Sequence, residues 1–352
     1  MRSVIVNLSR FSNLYNSRLA HRNCVKMLSV RVIFDPTQIS RPTAIALGNF
    51  DGVHIGHRHV IAPILPPALR DPNLTSTVVS FSPHPKEFFS QQQRSLLAPF
   101  DEKVALLKSL GVEQLVLLPF DADLAKLTAA EFIQKILIDY LQVELISVGF
   151  DFHFGRQRQG NINDLQNIWG DRLTVIPEQT MLLGSNDQSP VRISSSNIRT
   201  ALAQGEVNLA NSLLGRPYNI VGKVVQGKQL GRTIGFPTAN LEVPTQKCLP
   251  RDGVYAVQAI ANHSKKLSKK SLLGVMNIGL RPTVNGDLKS NWRTIEVHLL
   301  DWQGDLYDQE LSVNLIKFIR PEKKFDSLDA LKSQIQADCK TAARTQELST
   351  AA

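Results

Sequence analysis

Short runs of β-branched and apolar residues alternate with segments of helical periodicity between Ala44 and Gly215. The predicted strands of this region are Ala44–Leu47, Thr77–Phe81, Leu115–Leu118, Leu145–Gly149 and Leu173–Ile176. A helix is predicted over Ala129–Leu141, with Thr128 and Glu131 forming a capping box at its start. Such alternation predicts a parallel sheet with helices on its faces, in which ligands bind beyond the carboxyl ends of the strands.

After Pro217 the pattern changes to strand-like runs separated by Gly, Pro and Asn turns. The runs are Ile220–Val225, Val254–Ile260, Leu272–Ile278, Ile295–Leu300 and Leu311–Ile319. Helical periodicity returns only at Ser327–Asp338. This arrangement predicts a compact antiparallel barrel that is closed off by one terminal helix.

A length of 352 residues favours two domains. We expect domains over residues 41–215 and 216–340, an N-terminal extension over residues 1–40 and a C-terminal tail over residues 341–352. Residues 1–26 are rich in Arg and Ser and contain no acidic residue, which is compatible with an organellar transit peptide. We favour the simpler interpretation of a disordered or wrongly assigned start, with translation beginning at Met27, because the candidate chemistry begins only at Leu47.

The composition is that of an ordinary globular protein, with 43% hydrophobic and 20% charged residues. Much of the net charge of +9 lies in the N-terminal extension, and no basic stripe interleaved with aromatic residues indicates a nucleic-acid partner. No apolar run approaches the length of a membrane span. Cys24, Cys248 and Cys339 lack the spacing of a disulfide framework or a zinc site, which favours a reducing compartment. We therefore expect the cytoplasm, or an organelle if residues 1–26 are a transit peptide.

The sequence LGNFDGVHIGHRH at Leu47–His59 takes a predicted strand through a glycine turn into a helix. His54 and His57 flank Gly56 at the start of that helix, where main-chain N–H groups bind phosphate. Gly56 permits a close approach of a ligand, and paired imidazoles stabilise negative charge on a phosphoryl oxygen. A metal site is disfavoured because no Cys or acidic ligand lies at a suitable spacing, and two surface histidines without a function remain the minority interpretation.

Two further segments of the first region carry candidate chemistry. ISSSNIR at Ile193–Arg199 places three serines at a helix start, where they are either simple caps or, together with Arg199, an anion clamp. GFDFHFG at Gly149–Gly155 follows a predicted strand, and its aromatic residues are equally compatible with core packing and with a ligand site.

These motifs, together with FSPHP at Phe81–Pro85, resemble the nucleotidyltransferase module of bacterial FAD synthetases over about Ala44–Gly215. The resemblance implies a Rossmann-like fold in which His54 and His57 bind the ATP phosphates and stabilise the transition state. It implies an ATP site formed by Gly48, Asn49, Phe50, Gly56, Ser195 and Arg199, and FMN contacts from Pro83 and Asp151. Ser196 stands where the family usually has Thr, and His153 stands where it often has Arg.

GKVVQGKQLGRTIGFPTANL at Gly222–Leu241 is the second candidate site. Its glycines at 227, 231 and 235 are compatible with a phosphate-binding loop and equally with barrel turns, and they do not form a P-loop. Thr238 and Asn240 lie two residues apart in a strand, so their oxygen atoms share a face and suit a hard cation. Glu296 interrupts an apolar strand downstream, where it either faces solvent or carries a function.

The second half resembles the riboflavin kinase module of the same enzymes from Pro217 to about Asp338. The matching segments are GRTIGFPTANL, GVYAV at Gly253, NIGLRPT at Asn277, TIEVHLLD at Thr294 and the tail IRPEKKFDSLDALKSQI. The resemblance implies a six-stranded barrel in which Gly227, Gly231, Gly235, Thr238 and Asn240 bind Mg-ATP, with Thr238 and Asn240 as the metal ligands. It further implies that Glu296 is the general base and that Arg320 and Phe325 enclose the flavin.

Both modules in this order resemble prokaryotic-type, cyanobacterial-like bifunctional riboflavin kinase/FAD synthetases. We therefore expect a soluble enzyme that converts riboflavin to FMN and FMN to FAD, using ATP and Mg²⁺ without nucleic-acid or membrane partners, in an oligomeric state that the sequence leaves open. One alternative is another HxGH nucleotidyltransferase joined to an unrelated barrel. A second is a flavin- or nucleotide-binding regulatory protein that has lost catalysis.

Overall fold

The structure, a computed structural model, describes residues 30–35, 38–66, 68–182, 190–227, 230–261, 271–280 and 293–350. The described residues divide into two compact units. The first contains those up to Arg94 together with Ala98–Leu182 and Pro190–Ile193, and the second contains Ser95–Leu97 and those from Ser194 onward. Within these described ranges no helix combines the length and the apolar character needed to cross a membrane.

The first unit is built on a parallel sheet with strand order β1-β4-β3-β2-β5-β6. The strands are β1 Arg31–Ile33, β2 Thr43–Leu47, β3 Thr75–Ser82, β4 Gln114–Pro119, β5 Val143–Gly149 and β6 Leu173–Ile176. A short antiparallel pair, β7 Thr180–Met181 and β8 Val191–Arg192, lies apart from this sheet. The sheet is the predicted Rossmann-like architecture.

Helices connect the strands, and apolar clusters cover both faces of the sheet. They are α1 Ile55–Ile61, α2 Pro85–Ser90, α3 Phe100–Leu110, α4 Ala122–Lys126, α5 Ala129–Phe132 and α6 Ile162–Trp169. The predicted capping box starts α5, because Glu131 N–H donates to Thr128 Oγ1 over 3.2 Å and Thr128 N–H donates to Glu131 Oε2 over 3.0 Å. The chain continues from α5 as a π-helix over Ile133–Tyr140.

The central strand β2 explains why the histidine motif begins where it does. All five of its residues are buried. Ile45 and Leu47 enter one apolar cluster while Ala44 and Ala46 enter the other, which is the alternation that a strand covered on both faces requires. Its carboxyl end therefore delivers Gly48 to the edge of the sheet at which ligands bind.

The edge strand β1 lies within the segment that the sequence predicts as an extension. Residues Arg31–Ile33 pair in parallel with Gln114–Val116, and Ile33 is only 2% exposed. A strand of three residues is too short for periodicity to reveal, so the ordered sheet begins before residue 41. Residues 1–29 of the predicted extension lie outside the described part of the chain.

The second unit contains a closed barrel with strand order β10-β13-β12-β11-β14-β9, in which all pairings are antiparallel. The strands are β9 Tyr218–Val225, β10 Ala239–Glu242, β11 Gly253–Ala261, β12 Leu272–Leu280, β13 Arg293–Leu299 and β14 Glu310–Arg320. The helices are α7 Ser195–Gln204, α8 Val207–Leu214, α9 Leu230–Thr233 and α10 Leu328–Thr350. The predicted fold class, a parallel α/β sheet followed by a six-stranded barrel with a terminal helix, is confirmed.

Two boundaries within this unit differ from those the sequence suggested. The helices α7 and α8 group with the barrel, and Asn211 on α8 donates to Leu315 O while accepting from Tyr218 N–H. The terminal helix continues beyond Asp338 to Thr350, because good helix formers follow and Ala342 is buried against the barrel. The division after Gly215 remains a prediction about domain boundaries.

Candidate functional site

The loop between β2 and α1 places the two histidines. Gly48 leaves room for the Phe50 ring, whose Cζ would lie 3.2 Å from a Cβ at that position. Phe50, Gly52 and Val53 have φ values of 49°, 85° and 42°. For a residue with a Cβ, and above all for a β-branched one such as Val53, this left-handed region costs about 1–3 kcal/mol. The loop is therefore a strained segment that the surrounding structure holds in place.

His54 is the N-cap of α1, a position that Ser, Asp or Asn usually occupies. Its Nδ1 accepts the main-chain N–H of His57 over 3.2 Å, so in the neutral ring Nε2 carries the proton. A Cβ at residue 56 would lie 3.3 Å from the Cε1 and Nδ1 atoms of His54. The imidazole thus packs closely over Gly56, which explains the glycine between the two histidines.

His57 lies against the ring of His54. The two imidazoles stack with their centroids 3.6 Å apart and their planes 18° from parallel, and Phe50 meets His57 edge-on at 5.3 Å. Burial, and then the charges of His54 and Lys103, hold the pKa of His57 well below its usual value. Its Nδ1 and the Oδ1 of Asn49 are buried and have no hydrogen-bond partner among the described residues. Two buried polar atoms without partners, one in the loop and one in the first turn of α1, are suited to a polar ligand.

The FSPHP motif ends β3 and begins α2. Pro83 is exposed, whereas His84 is partly buried and caps α2, with its Nδ1 accepting from Lys86 N–H over 3.0 Å. Burial first, and then the charge of Arg94, whose Nη1 lies 3.0 Å from His84 Nε2, lowers the pKa of His84 to about 4. The sequence analysis did not single out His84, although the Glu three residues after it completes a capping box.

The GFDFHFG motif after β5 separates into a core residue and exposed residues. Phe154 is 5% exposed and belongs to the core, while Asp151 and Phe150 are exposed. The Asp151 carboxylate accepts from Arg192 Nη2 over 2.7 Å, and the Arg192 guanidinium lies 5.3 Å from the centre of the Phe150 ring. His153 bends back to the main-chain oxygen of Asp151 at 2.9 Å and is exposed.

Ser195 and Arg199 lie on α7, which groups with the second compact unit. Ser194, rather than Ser195, caps this helix by accepting from Asn197 N–H over 3.2 Å. The Arg199 guanidinium donates to the main-chain oxygens of Ser195 over 3.1 Å and of Ser95 over 3.2 and 3.3 Å. Part of its hydrogen-bonding capacity therefore binds the main chain.

The PTAN motif and the downstream Glu meet on the barrel. Asn240 on β10 pairs directly with Glu296 on β13, and Thr238 Oγ1 approaches Glu296 Oε2 to 3.5 Å. Glu296 lies on the outer face of β13, opposite the buried side chains of Ile295 and Val297, yet it is only partly exposed. This half-covered position differs from that of a freely solvated surface carboxylate.

Glycines shape the segment before β10. A Cβ at Gly227 would lie 2.1 Å from Asn240 Nδ2, so the Asn240 amide occupies the space that any other residue at 227 would need. Gly231 lies in α9 and accepts from Phe236 N–H over 2.8 Å, and Gly235 follows with a φ of 90°. His298, next but one after Glu296, lies 2.8 Å from Pro237 O and fixes the start of the PTAN segment to β13.

Asn277 is a residue near Glu296 that the sequence analysis left without a role. It lies on β12 as the other cross-strand partner of Glu296, and its Nδ2 donates to Glu322 Oε1 over 3.2 Å. The rest of the NIGLRPT motif from Arg281 onward lies outside the described residues. Only the tertiary pairing of β12 with β13 reveals this proximity.

Arg320 makes a charge pair that the sequence analysis did not foresee. Its Nε lies 3.1 Å from both carboxylate oxygens of Asp338 on α10, and its Nη2 lies 2.8 Å from Oδ2. Asp338 is 2% exposed, so this guanidinium neutralises a buried charge. The guanidinium also lies 5.7 Å from the centre of the Phe325 ring, which places the two predicted flavin residues side by side.

Comparison with known proteins gives the same order of modules. A family model described as FAD synthetase matches residues 37–196, and one described as riboflavin kinase matches residues 214–346. A bifunctional riboflavin kinase/FMN adenylyltransferase from Pseudomonas fluorescens is 39% identical over 92% of this chain and 94% of its own length. The enzyme of that name from Escherichia coli K12 is 42% identical over 85% of this chain and 91% of its own.

Among solved structures, the crystal structure described as a macrolide-efflux protein from Streptococcus pneumoniae superimposes with a TM-score of 0.75 at 30% identity. The match covers 90% of this chain and 99% of that chain. The similarity therefore extends over nearly the whole chain, including both the sheet and the barrel.

Proposed function

The chain belongs to the family of bifunctional riboflavin kinase/FMN adenylyltransferases, and on that premise we propose which of its residues perform each reaction. The enzyme transfers a phosphoryl group from ATP to riboflavin, giving FMN and ADP. It then joins FMN to the adenylyl group of a second ATP, giving FAD and diphosphate. The FAD synthetase model covers the N-terminal module, at residues 37–196, and the riboflavin kinase model covers the C-terminal module, at residues 214–346.

The proposal for adenylyl transfer rests on one observation, the stacked pair of His54 and His57. Because His54 Nδ1 accepts the main-chain N–H of His57, its Nε2 carries the proton of the neutral ring, and the low pKa of His57 keeps that ring neutral near pH 7. Two neutral N–H donors at one place suit an oxygen on which negative charge develops. The unpartnered Oδ1 of Asn49 lies in the same segment, and Gly48, Asn49, Phe50 and Gly56 are proposed to form the ATP-binding loop.

The chemical step needs no general base, since the phosphate of FMN is already an anion. One of its oxygens attacks the α-phosphorus of ATP, the bond to the bridging oxygen breaks, and diphosphate leaves with that electron pair. His54 and His57 donate hydrogen bonds to the phosphoryl oxygens as charge moves onto them. Ser195 and Arg199 are proposed to bind the triphosphate, and Pro83 and Asp151 are proposed to contact FMN.

The proposal for the kinase step rests on the meeting of Thr238, Asn240 and Glu296. Glu296 accepts the proton of the ribityl 5′-hydroxyl, the resulting oxygen attacks the γ-phosphorus, and ADP leaves. Because positioning and electrostatics supply most of the catalysis of phosphoryl transfer, one base is sufficient. Gly227, Gly231 and Gly235 let the preceding segment approach the phosphates, while Arg320 and Phe325 border the flavin.

The oxygen atoms of Thr238 and Asn240 fit Mg²⁺, which prefers such hard ligands and shares its coordination with phosphates. No group of three or more His, Cys, Asp or Glu that could hold a metal occurs in the described ranges. We propose that the phosphates of ATP supply the further ligands of the cation. Bound there, Mg²⁺ would neutralise charge on the phosphates of ATP. Thr238 and Asn240 would hold it next to Glu296.

The two alternatives from the sequence analysis are not favoured. The match to the riboflavin kinase model over residues 214–346 argues against a nucleotidyltransferase joined to an unrelated barrel. The similar curated proteins carry the names of enzymes, which argues against a regulatory protein that has lost catalysis. We propose a cytoplasmic location, since the similar curated enzymes are bacterial and the cysteines lack the spacing of a disulfide framework.

Chromatography of the flavins tests this assignment. Full-length protein incubated with riboflavin, ATP and Mg²⁺ should form FMN first and FAD afterwards, and a chelator added at the start should stop both reactions. Supplied with FMN, the protein should form FAD directly. Formation of FAD without prior FMN, or formation of neither flavin, would contradict the proposal.

A further inference from the structure

Lys103 on α3 contacts the loop that carries the histidine motif. Its Nζ donates to the main-chain oxygen of Asn49 over 2.9 Å and lies 3.5 Å from Ser80 Oγ. The hydroxyl of Ser80, on β3, donates to the same carbonyl over 3.1 Å. Donors from helix α3 and from strand β3 therefore hold the carbonyl of Asn49, the residue that follows Gly48 in the loop.

The loop needs such support because its conformation is strained. Phe50 and Val53 hold left-handed φ values, which persist only where surrounding contacts fix them. The Asp51 carboxylate accepts from Ala98 N–H over 3.2 Å, just before α3 begins. The start of α3 and its first turn thus bind the loop on both sides of Phe50, through Asp51 and through Lys103.

The ammonium group of Lys103 is costly to bury, and packing alone would not require a charged side chain at residue 103. Burial lowers the pKa of Lys103, and the nearby Asp51 carboxylate opposes this effect. The charge of Lys103, with that of His54, lowers the pKa of His57 further than burial does alone. In the described ranges these are the titratable groups whose charges act on His57 or Lys103. A methionine would fill similar space without the cost of desolvating an ammonium group.

We propose that Lys103 is a positioning residue of the adenylyltransferase site, whose ammonium group fixes the strained loop through the Asn49 carbonyl and places a positive charge beside His57. The inference rests on the proposed role of His57 in adenylyl transfer. Lys103 contacts the main chain of the loop rather than the reacting atoms, so it acts through Asn49 and His57. Its charge adds to the effect of burial on the pKa of His57 and so favours the neutral ring, which donates one N–H.

The test compares Lys103→Met, Lys103→Arg and Lys108→Met in the full-length protein. Lys108 lies on the same helix and is exposed, so Lys108→Met is the matched control. Lys103→Met should lower kcat for FAD formation from FMN by about 10- to 100-fold, the scale of a small misplacement of reacting groups. The His57 ring, followed by NMR and assigned by its absence in His57→Gln, should titrate at a higher pH in Lys103→Met.

Lys103→Arg keeps the charge, so the His57 titration should stay at its parental position and most of the lost rate should return. Lys108→Met should match the parent in both measurements, and FMN formation from riboflavin should be unchanged in every variant. A parental FAD rate in Lys103→Met would overturn the inference. So would an equal loss in Lys103→Met and Lys103→Arg without any change in the His57 titration, because that result indicates packing alone. Failure of the underlying assignment would instead appear as normal FAD formation in His57→Gln.

Discussion

Asn240 and Glu296 face each other as direct cross-strand partners in the barrel. Thr238, two residues before Asn240, reaches the carboxylate of Glu296 at 3.5 Å. Two motifs that are distant along the chain therefore form one cluster of oxygen atoms. From the sequence alone, the carboxylate of Glu296 is compatible either with solvent exposure or with catalysis. In the structure its neighbours are oxygen atoms of the kind that suit a cation.

The first prediction concerns the space that Asn240 occupies. Gly227→Ala adds a Cβ 2.1 Å from Asn240 Nδ2, so the amide must move away from the Thr238–Glu296 cluster. We expect kcat/KM for riboflavin phosphorylation to fall by about 10²-fold, with FAD formation from FMN unchanged. The matched control is Asn240→Ala with and without Gly227→Ala. In the Asn240→Ala background, Gly227→Ala should lower kcat/KM hardly any further, because the amide that it displaces is absent. Losses of kcat/KM that combine fully in the double variant would contradict this explanation.

The second prediction concerns His57. Its ring stacks on His54 and has a buried Nδ1 without a partner, which are the properties of a group that awaits a ligand. Replacing His57 by Ala should lower FAD formation by about 10²–10³-fold, the usual effect of losing one charge-stabilising donor. FMN should then accumulate when riboflavin is the starting flavin. A parallel fall in both activities would instead mark His57 as a structural residue.

The third prediction separates structure from flavin binding at Arg320. Arg320→Leu leaves the buried carboxylate of Asp338 without its cationic partner, which should lower the free energy of unfolding by about 3–5 kcal/mol. Adding Asp338→Leu removes the unpaired charge, so urea unfolding of the double variant should show most of the stability restored. Additive losses would show that the pair is not coupled. A KM for riboflavin that stays raised in the double variant would support a contact between Arg320 and the flavin.

The fourth prediction follows from His84. Its pKa is about 4 in the folded protein, against a usual value of about 6.5 in an unfolded chain. Between these two values the unfolded chain binds a proton that the folded chain does not, so His84 lowers stability as the pH falls through this window. The urea midpoint of the parent should therefore drop more between pH 7 and pH 5 than that of His84→Gln. An identical drop in both proteins would contradict the shift.

The sequence predicts the repeating elements well and their tertiary neighbours poorly. Runs such as Ala44–Leu47 are read correctly because both of their faces are buried and the pattern is strong. The strand at Arg31–Ile33 is not predicted from the sequence, because three residues are too few to show a periodic pattern. The continuation of α10 beyond Asp338 is not predicted, because the burial of Ala342 against the barrel is a tertiary contact.

The same distinction holds for the candidate sites. Motif spacing singles out His54 and His57, but not their stacking, since ring orientation depends on the cap that His54 provides. Lys103 could not be found from the sequence, because an amphipathic helix gives no reason to expect a lysine that contacts a distant loop. Arg320 fits a flavin contact by resemblance, whereas its buried partner Asp338 becomes visible only when α10 packs on the barrel.

We propose that two separate sites perform the two reactions, with Glu296 as the base of the kinase reaction. Glu296→Gln keeps the volume and most hydrogen bonds of the side chain but removes the proton acceptor. Removal of a general base typically costs about 10²–10⁴ in rate, so riboflavin turnover should fall by that amount. ATP binding should change little, because Thr238 and Asn240 remain.

A paired assay of Glu296→Gln, with riboflavin in one reaction and FMN in the other, measures this claim most directly. We expect a large loss of FMN formation in the first reaction and a parental rate of FAD formation in the second. Near-normal FMN formation would show that Glu296 is a solvent-facing residue of β13 and not the general base. A loss of both activities would contradict the separation of the two sites.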